Sequence, residues 1–111
     1  MGKGDYLGEF EQLVLLALVR LGKTGYGMIV RRELEATSGR SVSIGSVYAT
    51  LDRLEAKGYL SSSVGEPEPV RGWRGRRTFR IEPEGLVALA RSRDVLDRMW
   101  DGVNVSDLEP R

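Results

Sequence analysis

The sequence contains no cysteine and no histidine. Disulfide frameworks, zinc ribbons, thiolate nucleophiles and imidazole bases are excluded, and with them most familiar catalytic machinery. No clustered carboxylate pair compensates, so no enzymatic activity and no metal or cofactor is expected. Long apolar runs are missing too. The longest, Leu13 to Val19, falls far short of the ~18 to 20 residues that cross a bilayer. Lys3 alone before an acidic-flanked helix makes a poor signal peptide, so a cytoplasmic location is expected.

What is present is one modest soluble domain of 111 residues, 41% apolar and 30% charged. Net charge is only +1, but the charges are sorted along the chain. Arg71, Arg74, Arg76, Arg77 and Arg80 fall in one decapeptide without a carboxylate, whereas from Glu82 onward seven carboxylates face four arginines. One-signed clustering inside a nearly neutral chain favours an anionic partner over a merely solvated loop.

Apolar spacing predicts a first helix over about Leu7–Leu21, with Phe10, Leu13, Val14, Ala17, Leu18 and Leu21 as its stripe. Leu15, Leu16 and Val19 extend the apolar surface around the flanks. Either the domain encloses this helix itself or a second chain packs on it; the small size of the domain favours the second chain. Lys23-Thr24-Gly25 reads as a turn, followed by a second helix over about Tyr26–Thr37 that Gly39 ends. Val42 is placed to pair as a brief strand.

A third helix is predicted over about Ile44–Lys57, N-capped by Ser43. At 100° per residue Val47, Leu51 and Leu54 share an inward arc, with Gly45, Ala49, Asp52 and Ala56 opposite. Residues 59–64 and 78–81 read as the strands of an antiparallel hairpin with an arginine-rich tip that includes Trp73. Pro83 opens a last helix reaching about Gly102, with an apolar stripe that includes Leu86, Leu89, Leu96, Met99, Trp100 and Val103. Residues 104–111 read as irregular.

This order gives a mainly α fold with a small β hairpin: a winged helix-turn-helix over residues 1–81 and an additional C-terminal dimerisation helix and tail over 82–111. In such a fold the third helix enters the major groove of DNA. Close approach needs small side chains outside, which Gly45, Ser46, Ala49 and Thr50 provide, and hydrogen-bonding groups, which Ser43, Ser46, Tyr48, Thr50 and Arg53 provide. The wing needs charge and reach, supplied by Arg71, Arg74, Arg76 and Arg77. The competing reading is a winged-helix module that presents its basic hairpin to an acidic protein.

Gly25-Tyr26-Gly27, Gly45-Ser46-Val47-Tyr48-Ala49-Thr50-Leu51, Arg53-Leu54-Glu55-Ala56-Lys57-Gly58-Tyr59-Leu60, Arg76-Arg77-Thr78-Phe79-Arg80-Ile81 and Glu84-Gly85 occur in this order. Together they resemble the PadR family of transcriptional regulators over roughly residues 8–101. The departures are Ala49 for a usual proline, Ser46-Val47 for Thr-Leu, Phe79 for the wing tyrosine, Glu82 for a threonine, and a longer, Pro-rich wing. The resemblance implies a homodimeric repressor that reads a near-palindromic operator, with Ser46, Tyr48 and Thr50 at the DNA and Arg76 and Arg77 on the wing. It also implies a last helix packed near the partner's first helix. The expected dimer residues are Leu15, Leu16, Val19, Leu89, Leu96, Met99 and Trp100. Trp100 is also the candidate wall for a small aromatic effector, although an apolar-stripe Trp equally serves as dimer core.

Overall fold

The computed structural model describes residues 6–65 and 76–110. The wing-loop residues Arg71, Trp73 and Arg74, named above, lie outside that range. The elements are α1 (Glu9–Arg20), β1 (Thr24–Tyr26), α2 (Gly27–Ser38), α3 (Ile44–Ala56), β2 (Leu60–Val64), β3 (Arg77–Ile81) and α4 (Pro83–Trp100), followed by a 3₁₀ turn over Val105–Leu108. No helix among the described residues is long and apolar enough to cross a membrane.

Helix α1 starts where the Gly8 N–H donates to the Glu11 carboxylate at 2.9 Å, which satisfies one of the orphan donors of a helix N-terminus. It ends in a tight reversal. Gly22 and Lys23 both adopt left-handed backbone, and the Lys23 N–H reaches back to the Leu18 carbonyl at 2.8 Å. That reversal delivers Thr24–Tyr26 directly alongside β3, with Thr24 opposite Arg80 and Tyr26 opposite Thr78. The segment expected to be a turn is therefore a strand, and the hairpin is part of a three-stranded antiparallel sheet ordered β1-β3-β2. The expectation failed because the pairing is set by a partner about 55 residues away in sequence, which local turn chemistry cannot report.

Val42 forms no strand. Its N–H donates to Glu35 at 2.8 Å and its carbonyl accepts from Arg31 at 2.9 Å, so side chains of α2 satisfy the backbone that a ladder would have used. The C-terminal segment expected to be irregular contains the short 3₁₀ turn.

Phe79, Leu15, Leu18, Leu51, Leu54, Val14, Val30 and Val47 are fully buried and form the centre of the core. Leu15 thus belongs to the protomer's own interior, which corrects its expected place at a dimer interface: the domain's own elements enclose this side of α1. Leu16 is exposed, while Val19 and Leu89 pack against the core rim. Along α3, Val47, Thr50, Leu51 and Leu54 are buried and Gly45, Ala49, Asp52 and Ala56 are exposed, as 3.6-residue periodicity requires.

Two close approaches fix the elements around α3. Tyr48 lies half-buried across the start of α2, its ring 6.3 Å from Phe79. A Cβ at Gly27 would overlap that ring, so any larger residue there must displace Tyr48. Glu11 is buried, and besides the Gly8 N–H it accepts from Arg53 at 3.1 Å and from Lys57 at 2.9 Å, fastening α1 to the C-terminal half of α3. Burial alone would raise its carboxyl pKa. The hydrogen bonds from Lys57, the Gly8 N–H and Arg53, with the Lys57 charge, outweigh burial and hold it below the ordinary carboxylate value.

Because the folded pKa of Glu11 is depressed, its stabilisation is full above the unfolded carboxylate pKa and is lost as pH falls through the folded value. Glu11→Gln is expected to lower stability by about 2 kcal/mol at neutral pH, as for loss of charge-assisted hydrogen bonds. The deficit relative to wild type should shrink on acidification below about pH 4, read from urea midpoints across a pH series. Gly27→Ala should displace the Tyr48 ring at a cost of about 1 to 3 kcal/mol, the range for overpacking, measurable as a lower melting temperature.

Candidate nucleic-acid interface

The outward face of α3 carries very little side-chain bulk over its first two turns, where Gly45, Ser46 and Ala49 are all exposed. Ser43 caps the helix: its hydroxyl oxygen accepts from the Ser46 N–H at 3.1 Å and lies 2.7 Å from the Ser46 hydroxyl. Both hydroxyls remain exposed. The helix N-terminus beside them adds partial positive charge from its oriented peptide groups.

Thr50 does not belong to that face. It is 3% exposed, and its Oγ1 accepts from Arg53 at 3.3 Å. The expected contact with DNA is therefore corrected to a buried packing position, because residue 50 falls on the same arc as Val47 and Leu54. Tyr48 is likewise committed to packing between Gly27 and Phe79. Arg53 is half-exposed but holds Glu11.

On the wing, Arg76 is exposed and stacks over the Tyr26 ring at 4.5 Å. Arg77 turns the other way, toward α3. Its Nη1 meets Asp52 at 2.7 Å, its Nη2 meets Glu55 at 2.6 Å, its Nε donates to the Ser62 hydroxyl at 3.3 Å, and its guanidinium lies 4.6 Å from the centre of the Phe79 ring. Ser62 in turn donates to Glu55 at 2.8 Å. Partial burial opposes the Arg77 charge, but the hydrogen bonds it donates to Asp52 and Glu55, with their negative charges, prevail and its pKa is raised. The guanidinium stays charged at every working pH.

Two features, and the placement of Arg80, are absent from the sequence-based expectations. Asp52 and Glu55 as partners of Arg77 were hidden because 25 and 22 residues separate them from it. Glu11 as an anchor for Arg53 and Lys57 was hidden because 42 and 46 residues separate them from it. Arg80 is exposed on the outer face of the sheet, among Thr24, Ser61, Ser63 and Thr78, where these residues line a polar hollow of about 260 Å³. The signal for Arg80 was strand alternation, which places Thr78 and Arg80 opposite to Phe79.

Helix α4 projects from this body. Only Gly85 and Ala88 of its eighteen residues are buried, while Leu96, Met99 and Trp100 are 50%, 71% and 52% exposed. The Cα radius of gyration is 16.6 Å, against about 13 Å for a compact chain of 100 residues.

Comparisons with known proteins agree with this architecture. Residues 15–91 match the model of the transcriptional regulator PadR-like family. Transcriptional regulator Rv3488 of Mycobacterium tuberculosis is 40% identical over 74 residues, covering 67% of this chain and 64% of the relative, so the chain spans under two thirds of that protein's length. Among solved structures, a PadR family transcriptional regulator from Eggerthella lenta superposes with a TM-score of 0.69 at 28% identity, covering 93% of this chain and 88% of the other. F93 from STIV, a winged-helix DNA-binding protein, shares the fold with a TM-score of 0.62 at 17% identity, covering 90% of this chain and 97% of its own. With the family model matched over residues 15–91, most of its length, the chain belongs to the PadR-like family of transcriptional regulators.

Proposed function

We propose that the protein is a DNA-binding transcriptional repressor that acts as a homodimer and responds to a small aromatic effector. The observation that carries the DNA-binding part is the small, polar outward face of α3 beside a basic wing. Gly45, Ser46 and Ala49 let the helix backbone approach base edges, and the Ser43 and Ser46 hydroxyls supply donors and acceptors at the groove floor or the phosphates. Arg76 on the wing, with Arg71 and Arg74 of the loop, supplies charge for phosphates or the minor groove. Two copies related by a twofold axis would place their α3 helices in successive major grooves about 34 Å apart, reading a near-palindromic operator.

The support for dimerisation is α4. A projecting helix that exposes Val95, Leu96, Met99 and Trp100, with Val103 just beyond its end, is expensive in water and becomes favourable when a second copy covers it. On this reading residues 82–111 form the dimerisation element, with Leu16 and Val19 of the partner's α1 available to meet it. Met99, Trp100 and Val103 line a shallow hollow of about 190 Å³, which a flat aromatic effector would deepen into a site only in the dimer. Such a ligand changes repression only if it binds the free and DNA-bound states unequally.

The test is a fluorescence-anisotropy titration of operator-containing genomic fragments across salt concentrations. Specific binding with log K falling linearly in log salt is expected, and indifference to duplex at low salt would remove the proposal. Leu96→Glu combined with Met99→Glu should convert the dimer to a monomer in sedimentation velocity and weaken operator binding by at least about 100-fold, while leaving the melting of the winged-helix unit in place. Ligand titrations should quench tryptophan emission in wild type and not in Trp100→Phe.

A further inference from the structure

Resting on the reading of α3 as the DNA-facing helix, we propose that Arg77 acts as a charge mask for that face and not as a phosphate contact. The argument begins with Asp52. It follows Gly45 by seven residues and Ala49 by three, so it lies on the midline of the outward face, and its side chain is exposed. Glu55 stands one turn further along the flank nearest the wing. Two carboxylates are thus built into the surface that must approach a polyanion, where like charges oppose binding.

Arg77 answers both. Its fork spends Nη1 on Asp52 and Nη2 on Glu55, and its Nε on the Ser62 hydroxyl, so each of its three nitrogens already donates within the protein. Its plane is further fixed over Phe79, which is fully buried. Held between two carboxylates, this guanidinium would meet a phosphate with its charge already compensated. The same pattern holds for other arginines of the body: Arg53 holds Glu11, Arg40 holds Glu9, Arg31 lies by Glu35 and Arg20 holds Glu33. By contrast, Arg80 on the outer sheet face makes no ion pair among the described residues. The masked pair also couples the wing to the reading helix, so Arg77 is a positioning residue: it sets the local potential and the wing angle through Asp52 and Glu55.

The experiment compares wild type, Arg77→Ala, Asp52→Asn/Glu55→Gln, and the triple variant for duplex affinity and for the slope of log K against log salt. Arg77→Ala is expected to weaken binding about tenfold or more by uncovering both carboxylates. The triple variant should recover affinity to within about threefold of wild type. A control that pairs Arg77→Ala with Asp107→Asn/Glu109→Gln changes net charge equally but far from α3, and should not recover. Asp52→Asn/Glu55→Gln alone should bind more tightly, with a slope steeper by about one phosphate contact, 0.9. This arm decides the matter even if Arg77→Ala fails to fold. A triple variant that keeps the Arg77→Ala defect, or a carboxylate-free variant with unchanged slope, overturns the mask and leaves the repressor reading standing. Absence of duplex binding by wild type overturns both.

Discussion

Burial of Val47, Leu51 and Leu54 holds α3 from behind along most of its length, and the orientation of its small outward face depends on that hold. Each fully buried aliphatic side chain is worth roughly 1.5 to 3 kcal/mol, enough in sum to fix one rotation of the helix about its axis. Rotation is the variable that matters. A turn of one residue would bring Thr50 outward and carry Ala49 toward the interior, exchanging the smooth face for a bulky one. The buried Glu11 carboxylate adds an axial constraint at the far end, where Arg53 and Lys57 meet it, and the Ser43 cap fixes the near end.

The wing is referenced to the same helix. β3 carries Phe79 into the core and Arg77 onto Asp52 and Glu55, so the sheet and α3 share both an apolar and an ionic contact. The third strand, β1, braces β3 from its other edge through the left-handed turn at Gly22 and Lys23. The spacing between helix and wing is consequently a property of the protomer's core and not of the loop that joins the two long strands.

Helix positions were readable from the sequence because their signals are local: apolar spacing, the Ser43 cap and the left-handed Gly39 and Gly58. The inward arc of α3 followed from the same arithmetic. Thr50 was misassigned because its hydroxyl was weighed as chemistry before its position was weighed as geometry. Leu15 was misassigned because an all-round apolar helix has two explanations, and the number of elements able to surround it emerges only from their packing. β1, the Arg77 cluster and the Glu11 anchor were illegible for one shared reason. Each joins residues separated by more than twenty positions, and neither a strand partner nor a salt-bridge partner leaves a mark on its own neighbourhood.

The ion pairs that stiffen the body also set how it finds a target. With Arg20, Arg31, Arg40, Arg53 and Arg77 each beside a carboxylate, the far field of the folded unit is weak, and electrostatic steering scales with that field. On the repressor reading, long-range capture falls to the wing arginines, Arg71, Arg74 and Arg76, with Arg80 on the outer sheet face, while the helical body contributes little. Such a molecule spends less of its lifetime parked on irrelevant chromosome, and its slow arrival is exchanged for a cleaner search.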